Sequence, residues 1–184
     1  HSYYNFYYLA NSIRARGWDA TSLAVEHPDN PNRRFYHGED VTLFDPNPVA
    51  HKRMIESFLK DNSNRYGIIH SYGVGILSLF SDNHASPSHT TAYPWDVLEA
   101  KRRGVLIGYT HSGCLDGVSQ SSFRAWSAST CANCPWEGEP MVCSDTRNRD
   151  WGHKVTSIVD LFCTETDPPL DYKSSAKAFR APLT

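Results

Sequence analysis

The chain has 184 residues, 40% of them hydrophobic, enough to bury one sizeable core and to make a single domain, 1–184, the default. Its formal net charge is −2, so no basic field draws nucleic acid to it. Its longest apolar runs fall far short of the roughly 20 residues that span a bilayer, and no secretory leader is visible.

The chain opens at His1, on a helix rather than a strand, and so reads as a piece whose first strand lies upstream. Over residues 3–16, Phe6, Leu9, Ala10 and Ile13 recur at helical spacing, and Gly17 is a natural stop. "WDATSLAVE" and "DVTLF" read as short strands separated by the turn chemistry of "HPDNPNRR". A second helix follows, with Asn47 as N-cap, Pro48 at its first position, and Met54, Ile55, Phe58 and Leu59 as its apolar face. "YGIIHSYG" is a strand, "VGILSLFS" a helix and "SDNHASPSHTTAYP" a polar loop. "WDVLEAKRRG" is a helix with a basic last turn, and "VLIGYT" is the strand after it.

"SQSSFRAWSA" reads as helix. Residues 131–151, with two prolines and two tryptophans, show no clean period. One more strand ends at Thr164-Glu165 before "DPP", and the tail 171–184 is helical at first and then frays. Helix and strand alternate, and several strands are continuous apolar runs, as when helices cover both faces of a sheet. The expected fold is α/β: a Rossmann-like open, mostly parallel sheet with helices on both faces and a Cys-rich insertion at about 114–151.

In such sheets ligands bind outside the carboxyl ends of the strands. Three strand ends here carry polar groups: His70-Ser71-Tyr72, His111-Ser112-Gly113 and Thr164-Glu165. His1-Ser2-Tyr3 would follow the end of an upstream strand. A histidine at a strand tip can act as a general base near neutral pH or contact a phosphate; it can equally cap a helix or brace a turn. Glu165 could orient a histidine or bind a sugar hydroxyl. There is no G-x-G-x-x-G, no Walker loop and no G-x-S-x-G, so dinucleotide binding, P-loop chemistry and an esterase-type nucleophile are unsupported.

Four of five cysteines, Cys114, Cys131, Cys134 and Cys143, fall within thirty residues. Cys131 and Cys134 make a C-x2-C pair, and four thiolates suit tetrahedral zinc. Disulfides and plain buried thiols remain the competing states. Cys163, in an apolar strand, reads as a core residue. The clustered set points to a structural zinc in a reducing, cytoplasmic setting. Trp126, Trp136 and Trp151 are read as packing the insertion against the body.

"YYLANSIRARGWDATSLAV", "YGIIHSYG" and "VLIGYTHSG" together resemble the N-terminal half of a glycosyltransferase of the B-type, two-Rossmann-domain fold, as in the glycogen-synthase-like group. Tyr66-Gly67-Ile68-Ile69-His70 stands where that family has an Asp-led strand ending in His, and Tyr109-Thr110-His111 where it has T-x-H. The resemblance implies transfer of a sugar from a nucleotide-sugar donor to an acceptor, with this chain on the acceptor side. It implies that His111 contacts the donor or assists transfer, as the catalytic candidate, and that His70 is a structural or acceptor-side histidine; Ser71, Tyr72, Ser112, Gly113 and Glu165 join them as substrate-binding candidates from their place at the strand ends. It also implies a donor-binding C-terminal domain outside these 184 residues, so that the chain alone does not turn over, and it leaves peripheral membrane contact open. A non-catalytic α/β scaffold carrying a zinc knuckle is the alternative reading.

Overall fold

The computed structural model describes residues 5–25, 27, 38–62, 64–72, 94–111, 119–126, 131–140, 143–164, 171 and 177–178. Helix α1 is Asn5–Arg14. Its last turn closes at Gly17, whose φ of 83° is the left-handed conformation that glycine adopts without a Cβ clash. Helix α2 is Pro48–Asp61. As the sequence predicts, Pro48 stands at its start, and the Asn47 side chain accepts hydrogen bonds from the Val49 and Ala50 amides.

The described strands form two parallel sheets, where the sequence suggested one open sheet. In the first, β1 (Leu23–Ala24) pairs with β2 (Val41–Thr42). Asp40 ties them: its carboxylate accepts from the Ser22 amide and hydroxyl and from the Arg14 guanidinium of α1. These contacts, the Ser22 amide first, hold the Asp40 carboxyl below the usual range. The split follows from packing. The apolar residues around β1 and β2 close on α2, in a cluster of Val25, Leu43 and Ile55 separate from the main core.

The second sheet carries β3 (Ile68–Tyr72), β4 (Leu106–His111), β5 (Leu161–Thr164) and β6 (Lys177–Ala178), adjacent in that order and all parallel. Between them run α3 (Trp95–Arg102), α4 (Gln120–Ala125) and α5 (Asp145–Ile158). Helices α3 and α5 touch each other and lie on one face of β3–β5. Two crossovers stepping in the same direction place their helices this way when both are right-handed. The core between them joins Val97 and Ala100 of α3, Ile107 and Tyr109 of β4, Trp151, Val155 and Ile158 of α5, and Phe162 of β5. Side chains such as Ile107, Val155 and Phe162, each 2% exposed, contribute on the order of 1.5–3 kcal/mol by burial.

Two sequence readings are corrected. Residues 145–158 are a regular helix of 14 residues, not the end of an irregular segment. Ser144 caps it by accepting from the Arg147 amide. Its buried stripe is Asn148, Trp151, Gly152, Val155 and Ile158, at helical spacing. Asn148 and Gly152 on the inner face hide that period from a hydrophobicity reading. The tail is not helical at Lys177–Ala178, which adds a strand to β5; the helix expected at 74–81 lies outside the described residues.

The opposite face of the large sheet is covered in part by α1, whose Phe6 ring lies against His70 and Tyr72. Toward the amino ends of the strands this face carries Ile68, Leu106 and Leu161, which are 65%, 54% and 44% exposed. Among the described residues no helix is long and apolar enough to cross a membrane.

Trp151 has no exposed surface, and its indole N–H donates to the Tyr109 hydroxyl at 3.1 Å. Trp151→Ala is expected to lower the unfolding free energy by about 3–5 kcal/mol. Trp136 is 58% exposed, so Trp136→Ala should cost far less, with a change in stability below about 0.5 kcal/mol. Urea denaturation of the two variants checks both values.

Candidate functional site

Register fixes which strand-end groups can act together. Ile69 pairs with Ile107, His70 with Gly108, Ser71 with Tyr109 and Tyr72 with Thr110. On the other side Thr110 pairs with Cys163 and His111 with Thr164. Side chains alternate along a strand. Ser71, Tyr109, His111, Phe162 and Thr164 therefore share the face that carries α3 and α5, whereas His70, Tyr72, Thr110 and Cys163 share the face beneath Phe6.

The two His-Ser pairs that look alike in sequence are thus not equivalent in space. His111 ends β4, on the helix-covered face. His70 sits three register positions short of it, on the other face. The strands end at Tyr72, His111 and Thr164, with Tyr72 beside Thr110 and His111 beside Thr164. Ser112, Gly113, Cys114 and Glu165 lie outside the described residues.

His111 has no exposed surface. Its ring lies nearly parallel to that of Phe162, 11° between planes and 6.3 Å between centroids. Ser71 is buried and Tyr72 half-buried. The strand end is therefore a packed layer in which polar side chains are held in place by neighbours.

His70 is the most constrained polar group. Its Nε2 is 2.7 Å from the Thr110 hydroxyl. This contact ties β3 to β4 on the face beneath Phe6. The His70 ring fills the space above Gly108, where a Cβ would stand 2.6 Å from Nδ1. No side chain fits there, which explains a glycine inside an otherwise apolar strand. Burial pushes the imidazole down from 6.5 to about 4 and pushes the Cys163 thiol up.

Sequence reasoning singled out His70 but missed Gly108 and Thr110 as its partners. An isolated glycine within a strand pattern was the available signal, since it marks close approach of another group.

In the Cys-rich segment, a 3-10 turn covers Cys131–Asn133, and the Cys134 amide donates to the Cys131 carbonyl at 3.0 Å. Cys131, Cys134 and Cys143 are not in disulfide bonds. The Cys143 thiol is 3.0 Å from the Trp136 carbonyl oxygen. Among the described residues no three His, Cys, Asp or Glu side chains are already gathered closely enough to hold a metal ion. An open concavity lies elsewhere, at the start of α2, lined by Asp45, Asn47, Val49, Ala50, Arg53 and Met54.

No known protein family, curated protein or solved structure matches this chain.

Gly108→Ala should destabilise the fold by about 1–3 kcal/mol through overpacking. In the His70→Ala background the same change should cost much less, so a double-mutant cycle should show positive coupling between the two sites. The imidazole also sets a pH dependence. Between 6.5 and about 4 the unfolded chain binds a proton that the fold refuses. Stability should therefore be flat above that window and fall as pH drops through it, by up to about 3 kcal/mol. His70→Gln should flatten that slope in urea titrations at stepped pH.

Proposed function

We propose that this chain is a Rossmann-like, acceptor-side domain of a glycosyltransferase that moves a sugar from a nucleotide-sugar donor to an acceptor. The observation that supports this most is the common ending of three parallel strands, which brings Tyr72, His111 and Thr164 to one edge of the sheet. Such an edge is where open α/β sheets bind ligands. His111 is the catalytic candidate, as a general base near neutral pH or as a contact to donor sugar or phosphate. Ser71 and Tyr72, with Ser112, Gly113 and Glu165 by their place in the sequence, are the substrate-binding candidates. His70 acts from within the sheet, bracing β4 through Thr110. Donor contacts come from a separate domain, so the chain alone binds acceptor without turnover. A cytoplasmic setting, which keeps thiols reduced, goes with this reading.

One observation favours a second reading, a non-catalytic α/β binding module: His111 is fully enclosed and stacked on Phe162. In that case the histidine is a core residue.

The two readings separate in a transfer assay with the full natural protein and a panel of nucleotide sugars. Under the first, His111→Asn lowers transfer by roughly 100-fold or more while far-UV circular dichroism is unchanged. Transfer within about twofold of the parent removes the catalytic role of His111. Absence of transfer by the parent, with acceptor binding retained, supports the module.

A further inference from the structure

The described residues from Cys131 to Cys143 bury little surface of their own. Among them, Ala132, Asn133 and all of 135–140 are exposed, including Trp136. The three that are not exposed are Cys131, Cys134 and Cys143. Among the described residues of this loop, the thiols alone are partly covered.

The backbone organises them further. Cys131 and Cys134 stand at the two ends of one tight turn, closed by the Cys134 amide on the Cys131 carbonyl. A second turn follows at once, with the Glu137 amide on the Cys134 carbonyl. The chain then doubles back, the Cys143 amide bonding the Glu139 carbonyl, and the Cys143 thiol reaches the Trp136 carbonyl, two residues after Cys134. The loop is also fixed at its margins: Glu137 pairs with Arg124 of α4 at 3.1 Å, and Ser144, next to Cys143, caps α5.

Residues so exposed offset little of their conformational entropy by burial. Three partly covered thiols on a folded-back loop are a donor set for a soft, tetrahedral cation. We infer that Cys131, Cys134 and Cys143 are thiolate ligands of a zinc ion. Binding removes the three thiol protons, draws the sulfurs together and couples metal uptake to ordering of the loop. The role is structural: the metal holds the loop against α4 and the start of α5, and it does not depend on whether the chain transfers sugar.

Metal analysis of protein purified under reducing conditions and supplied with zinc tests this. The expected content is about one zinc per chain, since one tetrahedral site takes one ion. Cys131→Ser, Cys134→Ser and Cys143→Ser should each lose most of it, and Cys163→Ser, whose thiol is buried in β5, should keep it. Cobalt substitution should give the absorption of a tetrahedral thiolate site in the parent. If the serine variants fail to fold, the parent still decides the matter. Chelation should then speed hydrogen exchange at the Cys134, Glu137 and Cys143 amides and leave those of β4 unchanged. Less than about half an equivalent of zinc, bound iron in its place, or full retention in all three variants overturns the assignment.

Discussion

Strand β4 is flanked by strands on both sides, and every residue from Ile107 to His111 is buried and held by its neighbours. On one face Tyr109 is held by the Trp151 indole and stacked on Phe162. On the other, Gly108 leaves room for the His70 ring, and Thr110 bonds it. At its beginning, the Asp160 carboxylate accepts from the Ile107 amide while pairing with Lys101 of α3. One strand thereby fixes the registers of β3 and β5 and the seats of α3 and α5. The polar groups at the carboxyl ends inherit their positions from these contacts.

Parts of this arrangement are written in local sequence. Asn47-Pro48 announces α2 because a cap and a proline at the first helical position act within one turn of chain. Continuous apolar runs bounded by turn residues announce β3 and β4, since short apolar runs of this length read as strands. The rest depends on partners distant in sequence. Helix α5 escapes notice because Asn148 and Gly152 lie on its inner face, where the Gln120 amide group accepts from Asn148 at 3.1 Å. The short strand at Lys177–Ala178 carries no pattern of its own and exists because β5 offers it an edge.

The candidate site illustrates the same limit. A repeated His-Ser pair suggests two equivalent strand tips. Register is a property of pairing, which the letters do not encode, and it sets the two histidines on opposite faces of the sheet. What the sequence does reveal is residue type. Histidines, hydroxyls and thiols occur where an α/β sheet ends, and cysteines recur in a stretch with no clean hydrophobic period. Geometry then divides them into groups that brace the sheet, such as His70 and Thr110, and groups at its edge.

The aliphatic trio of Ile68, Leu106 and Leu161 has a consequence that concerns solvent rather than structure. These side chains stand in water on adjacent strands, with charged pairs such as Arg65 with Asp19 elsewhere on the surface. Whatever meets the trio gains free energy by releasing ordered water, which near room temperature is an entropic gain with a negative heat-capacity change. Contacts made there strengthen on warming from the cold and in sulfate, and weaken in urea. Contacts made through the exposed ion pairs weaken with added salt. A salt such as sulfate thus acts in opposite senses on two parts of one surface.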